Sequence, residues 1–151
     1  MLKNKLSTLK VLLDTSFLLP TLGVDTGKEV LKSLKKLGEI KADIHYSCFS
    51  VLESLWVTAR LSGGVDFDTE RFRHGLRSVI EGRKYVKIEE DSDIFNEALK
   101  LHVLGHKDMI DNILYAGSIH FNLKLLTLDI KLKKFISNNN LSDSLIFPDE
   151  L

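Results

Sequence analysis

The sequence is poor in cysteine, in long apolar runs and in net charge, and each shortage excludes a class of protein. With the single cysteine Cys48, the chain can form neither an internal disulfide nor a cysteine-rich zinc site, so we expect a reducing, cytoplasmic setting. Apolar runs are only a few residues long, as at 11–13, whereas a membrane-spanning helix needs about 20. The basic segment 1–10 has neither an apolar core nor a small-residue cleavage site, so we expect no secretory signal and no membrane partner.

The charges are balanced, with 21 basic and 21 acidic residues and a formal net charge of zero. No global positive field attracts nucleic acid, so any nucleic-acid binding has to be local. The 151 residues are 44% hydrophobic and 28% charged, and we therefore expect residues 1–151 to form a single globular domain. The motifs Gly-x-x-x-x-Gly-Lys and Gly-x-Gly-x-x-Gly are missing, which excludes a P-loop enzyme and a Rossmann dehydrogenase.

Short apolar runs alternate with longer segments of helical periodicity along the chain. The pattern predicts strands at 9–13, 44–49, 85–88, 123–128 and 144–147. It predicts helices at 24–37, 51–61, 94–104, 109–121 and 130–136, and a further helix marked by Phe72, Leu76, Val79 and Ile80. Gly105 is an expected helix C-cap, and Cys48, inside the second strand, is expected to be a buried thiol. The alternation indicates an α/β fold of three layers, α/β/α, with a central, mainly parallel sheet of about five strands.

Four acidic residues stand where a strand gives way to a helix or where a helix begins. Asp14 ends the first strand, Glu53 lies in the first turn after the second, Asp111 lies in the first turn of the helix at 109–121, and Asp129 ends the strand at 123–128. In a parallel sheet these points share one edge, where open α/β folds place their ligands. Clustered carboxylates raise one another's pKa unless a cation neutralises them. An all-oxygen set suits Mg²⁺ or Mn²⁺ better than zinc.

Helix capping explains the same positions without any ligand, because acids are favoured at helix N-termini. Ser50 and Glu53 match a capping box, and Asp108 is a candidate N-cap. Nearby cations fit either phosphate contacts or a solvated helix face; they are His106, Lys107, Lys131, Lys133 and Lys134. The apolar face of the helix around Phe72 likewise fits either the core or a subunit contact.

The segments around the four acids resemble the acidic motifs of the PIN domain family. They are VLLDTS at 11–16, SVLE at 50–53, DNILYA at 111–116 and LLTLD at 125–129, and their order and spacing match the family over nearly the whole chain. The family contains metal-dependent ribonucleases, among them VapC-type toxins of toxin–antitoxin pairs, and its fold is a parallel sheet with helices on both faces. The resemblance implies a metal-binding and catalytic set, supported by two hydroxyls. The set is Asp14, Glu53, Asp111 and Asp129, and the hydroxyls are those of Ser16 and Thr127.

The resemblance also implies a reaction and partners. Mg²⁺ or Mn²⁺ among the carboxylates would activate water and stabilise the charge on a phosphodiester, so that single-stranded or loop RNA is the implied substrate. A homodimer and an antitoxin protein are the implied protein partners. Two features depart from the family pattern. Gly117 and Ser118 stand where many members have Thr-Ala, and Asp108 offers a second carboxylate near Asp111, although the spacing to Asp129 favours Asp111 as the third ligand.

Two functions of other kinds share part of this pattern. An aspartyl phosphatase of the haloacid-dehalogenase type also begins with an apolar strand and an Asp, but it needs a second Asp two residues later, where this chain has Ser16. A non-catalytic PIN-like scaffold that binds RNA or protein is the main alternative, because an intact set of acids does not establish turnover.

Overall fold

The computed structural model describes residues 7–151. The strands are β1 Lys10–Leu13, β2 Asp43–Tyr46, β3 Val86–Lys87, β4 Lys124–Leu126 and β5 Leu145–Ile146. The α-helices are α1 Thr15–Leu18, α2 Lys28–Glu39, α3 Cys48–Leu61, α4 Thr69–Ile80, α5 Ser92–Leu104, α6 Met109–His120 and α7 Ile130–Asn138. Short 3₁₀ turns cover Leu19–Leu22 and Pro148–Glu150. The first six residues of the segment 1–10, for which we expect no secretory signal, lie outside the described residues.

The five strands form one parallel sheet in the order β3-β2-β1-β4-β5, which confirms the α/β fold expected from the sequence. β1 lies in the centre, and its residues Val11, Leu12 and Leu13 are fully buried. Consecutive apolar residues are expected in such a strand because helices cover both faces of a parallel sheet.

Successive side chains of the central strands supply two separate cores, one on each face of the sheet. Val11 and Leu13 pack in a cluster with residues of α1, α2 and α4, including Val30 and Val79. Leu12 points to the other face and packs in a cluster with residues of α5, α6 and α7. The three layers therefore follow from the alternation of side chains along β1.

The order of the strands marks one place in the sheet as the ligand edge. From β1 the chain moves outward to β2 and β3, and it later returns to the opposite side of β1 as β4 and β5. Connections therefore diverge at the carboxyl ends of β1 and β4, which is where open α/β sheets bind ligands. Asp14 directly follows β1, and Asp129 precedes α7 just after β4.

The second predicted strand is too long, and the helix after it starts earlier than predicted. β2 ends at Tyr46, and α3 begins at Cys48 because Ser47 is its N-cap, with Ser47 Oγ accepting a hydrogen bond from the Phe49 backbone N–H at 3.1 Å. The capping box expected at Ser50 is therefore wrong, and Glu53 lies in the second turn of α3. Cys48 is exposed rather than buried.

The helix predicted at 24–37 also starts elsewhere, since α2 begins only at Lys28. The preceding residues form a loop that requires two glycines, Gly23 at φ +84° and Gly27 at φ +110°, in the left-handed region that favours glycine. Further along, Gly105 has φ +126° and is the C-cap of α5, as predicted. Phe72 and Leu76 of α4 pack against the core and Val79 is buried in it, so the apolar face of α4 is chiefly a core face.

The residues that depart from the family pattern on α6 have packing roles. A Cβ atom added to Gly117 would lie 3.2 Å from Ile88 Cδ1, so glycine lets α6 approach the sheet closely. Ser118 is buried, and its Oγ lies 2.6 Å from both the Tyr115 carbonyl oxygen and Ser144 Oγ. Within residues 7–151, every helix is too short or too polar to cross a bilayer.

Candidate metal centre

Asp14 is fixed at the carboxyl end of β1 by contacts to two neighbouring elements. Its backbone N–H donates to the Leu126 carbonyl at 3.1 Å, which extends the pairing of β1 with β4. Its Oδ1 accepts from the Thr15 N–H at 2.6 Å and so caps α1. Its Oδ2 accepts from Thr127 Oγ1 at 2.8 Å. The carboxylate is therefore oriented from both sides.

Thr127 links the acids that follow β1 and β4. Its side chain is fully buried, and Oγ1 donates to Asp14 while accepting a hydrogen bond from the Asp129 backbone N–H at 3.0 Å. Asp129 in turn caps α7, since its Oδ1 accepts from the Leu132 N–H at 3.1 Å. One hydroxyl thus sets the relative position of two of the four acids.

Asp108 and Asp111, which the sequence left as rival ligands, have different environments. Asp108 is exposed and is the N-cap of α6, where its Oδ1 accepts from the Asp111 N–H at 3.1 Å. Asp111 is partly buried, and its carboxyl group lies close enough to that of Asp129 for a hydrogen bond when one of them is protonated. The geometry thus brings Asp111 to Asp129 and leaves Asp108 in a capping position.

Glu53 and Ser16 are the remaining site residues that the sequence predicts. Glu53 is partly buried on α3, and its charge acts on the Asp14 carboxyl. Ser16 lies on α1, and its carbonyl accepts from Thr26 Oγ1 at 2.7 Å. Within the part of the chain that the structure describes, no hydrogen bond joins the Ser16 hydroxyl to any of the four acids.

Burial and mutual repulsion raise the pKa of two of these carboxyl groups. Burial raises the pKa of Asp14 to about 6, with smaller increases from the charges of Glu53 and Asp129, against the lowering effect of the bonds from Thr127 and Thr15. Burial also raises the pKa of Asp111 well above its ordinary value, and the charges of Asp14 and Asp108 and the contact with Asp129 add to the increase. Asp14, Asp111 and Asp129 therefore lie within electrostatic reach of one another, and Glu53 lies within reach of Asp14.

Three side chains of this region offer a donor set that fits a divalent cation, and Asp14 and Glu53 lie outside this group of three. A ring nitrogen of His106, a carboxylate oxygen of Asp111 and one of Asp129 all lie within 4.8 Å of one another. Carboxylate oxygens are preferred ligands of Mg²⁺ and Mn²⁺, and a cation would offset the repulsion that raises the two pKa values. Sequence reasoning treated His106 only as a cation near the acids, because nothing in the local sequence indicates that the loop after Gly105 turns it toward Asp129.

Two of the lysines near the site are engaged elsewhere in the protein. Lys107 Nζ donates to the His102 carbonyl at 3.1 Å, and Lys133 Nζ lies 4.9 Å from the centroid of the Phe147 ring. Lys131 and Lys134 on α7 are exposed.

Comparisons with known proteins give one family and several similar structures. The PIN domain family matches residues 11–136, whereas a comparison with curated proteins gives no significant match. A toxin–antitoxin complex from Klebsiella pneumoniae has a chain with a TM-score of 0.61 and 16% identity, over 93% of this chain and 99% of that one. FitAcB from Neisseria gonorrhoeae has a TM-score of 0.58 and 14% identity, over 93% and 99% of the two chains. VapBC2 from Rickettsia felis, bound to a DNA fragment from its promoter, has a TM-score of 0.57 and 15% identity, over 91% and 97%.

Proposed function

The chain belongs to the PIN domain family, and we propose that it is a metal-dependent endoribonuclease that hydrolyses phosphodiester bonds of single-stranded or loop RNA. The main support is that Asp14, Asp111 and Asp129 lie near one another where β1 and β4 end, with the charge of Glu53 also acting on Asp14, and that burial and repulsion raise the pKa of Asp14 and Asp111. Such a cluster costs stability when its members are charged and unpaired. A bound divalent cation removes that cost.

In this proposal the four acids hold Mg²⁺ or Mn²⁺. The bound ion would lower the pKa of a water molecule and stabilise the charge that develops on the phosphodiester. The residues of the chain keep the ligands in place: Thr127 orients Asp14 and anchors the start of α7 at Asp129, and Asp108 caps the helix that carries Asp111. We assign Ser16 the accessory role that the family resemblance implies, since it lies in the first turn of α1, two residues after Asp14.

The proposal extends to partners and location. Because the net charge is zero, RNA binding depends on local cations, and we assign contacts with phosphate groups to the exposed Lys131 and Lys134 of α7. The similar solved structures include a toxin–antitoxin complex, which supports a role as the toxin of such a pair with an antitoxin partner. We also propose a homodimer as the functional form. We further propose that the chain forms one domain and acts in the cytoplasm.

Substitution of the acids tests the proposal. Asp14→Asn, Glu53→Gln and Asp111→Asn each replace a carboxylate by an amide of nearly the same shape, and Asp66→Asn makes the same change at an exposed acid in the loop after α3. We expect each of the first three variants to cleave end-labelled single-stranded RNA at least about 100-fold more slowly than the wild type, since even supporting residues of metal sites contribute 10–100-fold. Asp66→Asn should cleave at the wild-type rate.

Thermal unfolding of every variant shows whether the fold is retained. Full residual cleavage by Asp14→Asn or Asp111→Asn would contradict the assignment of the site. If the wild type cleaves none of a varied set of RNAs, and calorimetry detects no binding of Mg²⁺ or Mn²⁺, the non-catalytic scaffold that binds RNA or protein becomes the better account.

A further inference from the structure

His106 is held in a defined orientation by Asn112. The Asn112 side chain is completely buried at the start of α6, and its Nδ2 donates to the His106 carbonyl oxygen at 2.7 Å. Its Oδ1 lies 2.7 Å from His106 Nδ1. Because a carbonyl oxygen only accepts hydrogen bonds, the amide nitrogen must face it, and the amide oxygen must therefore face the ring.

This arrangement determines which ring nitrogen of His106 carries a hydrogen. The amide oxygen of Asn112 only accepts, so Nδ1 is the donor and carries the hydrogen. In the neutral imidazole Nε2 then has the free lone pair. The ring is also packed against Phe135 of α7, with 5.2 Å between the ring centroids. Two elements, α6 and α7, therefore hold the imidazole in place.

The same imidazole lies beside the carboxylates of the candidate metal centre. One of its nitrogens is within 4.8 Å of an oxygen of Asp111 and of one of Asp129. Among the residues that the structure describes, no ion pair within 4.0 Å joins His106 to either acid. The three donors come from the loop after α5, the first turn of α6 and the N-cap of α7, so three separate elements of the fold bring them together.

A histidine that binds a metal through one nitrogen almost always donates the hydrogen of the other to an oxygen acceptor, which fixes its tautomer and orientation. Asn112 provides that acceptor for His106. Buried polar side chains are normally hydrogen-bonded, and both ends of the buried Asn112 amide contact His106. The hydrogen bond to the His106 carbonyl oxygen uses only the amide N–H of Asn112. The contact between Asn112 Oδ1 and His106 Nδ1 is a second contact, and it involves the ring itself.

We propose that His106 is a further ligand of the metal ion, bound through Nε2 beside Asp111 and Asp129, with Asn112 as its positioning residue. This inference rests on the proposed function, since it concerns the same ion. An imidazole ligand strengthens binding of first-row transition ions more than that of Mg²⁺, which prefers oxygen ligands. The site is therefore selective for Mn²⁺ over Mg²⁺ to a degree that four carboxylates alone would not produce.

The experiment measures binding of each metal alone by calorimetry, without RNA. The proteins are the wild type, His106→Gln and the matched control His74→Gln, which changes an exposed histidine of α4. For His106→Gln we expect at least about ten-fold weaker binding of Mn²⁺, with Mg²⁺ binding changed by less than about three-fold. His74→Gln should bind both ions as the wild type does.

A second readout uses the wild type and does not depend on the folding of a variant. The chain has five histidines, and substoichiometric Mn²⁺ should broaden the imidazole nitrogen resonances of His106 far more than those of the other four. Equal broadening of all five histidines would overturn the inference. Unchanged Mn²⁺ affinity in a folded His106→Gln variant would also overturn it, even if that variant no longer cleaved RNA.

The outcomes separate this inference from the proposed function. A wild type that binds Mn²⁺ and cleaves RNA, together with a His106→Gln variant that binds Mn²⁺ equally well, rejects the histidine ligand alone. A wild type that binds neither ion rejects the histidine ligand and the proposed metal-dependent nuclease together.

Discussion

At the scale of single residues, capping a helix and binding a metal are compatible roles for the same carboxylate. Each carboxylate oxygen has two lone pairs, so Asp14 and Asp129 can cap α1 and α7 and still face a cation. Asp111 distinguishes the two roles, because it lies within α6 while Asp108 is the cap. Capping explains the position of Asp108, but it leaves the burial of Asp111 among like charges without a structural reason.

The raised pKa values of Asp14 and Asp111 predict how the stability of the metal-free protein depends on pH. A folded-state pKa above the unfolded value near 3.8 means that the folded protein holds the proton more tightly. The resulting stability is fully present below the unfolded pKa and is lost as the pH rises through the folded value, which for Asp14 is about 6. The free energy of unfolding in EDTA should therefore fall between pH 4 and pH 8.

The variant Asp111→Asn should make this decline shallower, because the amide cannot ionise. At pH 8 in EDTA we expect its free energy of unfolding to exceed that of the wild type by about 1–3 kcal/mol, on the scale of 1.4 kcal/mol per pKa unit. Urea denaturation at several pH values measures both quantities, and Asp66→Asn is the control with no expected gain. An Asp111→Asn variant that is less stable than the wild type at pH 8 would show that burial and repulsion do not raise the pKa of Asp111 in the folded protein.

The sequence indicated the residue types of the site better than their contacts. The positions of the four acids could be read from the ends of apolar runs, because strand ends and helix starts leave local signals in the sequence. The place of His106 could not be read in this way. It depends on the buried side chain of Asn112 and on Phe135 of α7, and these contacts join different elements of the fold.

At the scale of elements, helix starts were predicted less well than helix positions. Ser47 and Ser50 both suit an N-cap, and the sequence pattern favoured Ser50, whereas the structure uses Ser47. The apolar residues Cys48 and Phe49 continued the run of β2 and hid the start of α3. The centres of β1 and β4 were easier to predict because their residues are buried on both faces of the sheet, which leaves a continuous apolar run.

The contact between α4 and the 3₁₀ turn at Leu19–Leu22 gives a prediction that concerns packing alone. A Cβ atom on Gly75 would lie 2.2 Å from the Thr21 carbonyl oxygen, and neither backbone can move without disturbing the core next to α1. We expect Gly75→Ala to lower the free energy of unfolding by about 3 kcal/mol. Chemical denaturation of the purified variant measures this loss.

Gly38 of α2 is the matched control, because an added Cβ there meets nothing within 4 Å. Since alanine is favoured over glycine inside helices, Gly38→Ala should raise the free energy of unfolding by up to about 1 kcal/mol. Equal effects of the two substitutions would mean that α4 does not approach the turn as closely as the structure has it.

At the scale of the whole molecule, the site exists only because the sheet brings distant segments together. Asp14 and Asp129 lie far apart in the sequence, yet they meet because β1 and β4 are neighbours in the sheet. The alternation of strands and helices predicted a parallel sheet, but it contained no information on strand order. That order, β3-β2-β1-β4-β5, arises from long-range packing and determines which acids face one another.

Metal-dependent cleavage of RNA tests the central claim most directly. Purified protein is incubated with end-labelled single-stranded RNA in EDTA, and then after addition of Mg²⁺ or Mn²⁺ in excess of the chelator, with Asp111→Asn treated in parallel. We predict no cleavage in EDTA, cleavage by the wild type once the ion is restored, and cleavage by Asp111→Asn that is then at least about 100-fold slower than that of the wild type. Cleavage by the wild type that continues at an unchanged rate in EDTA would contradict the account.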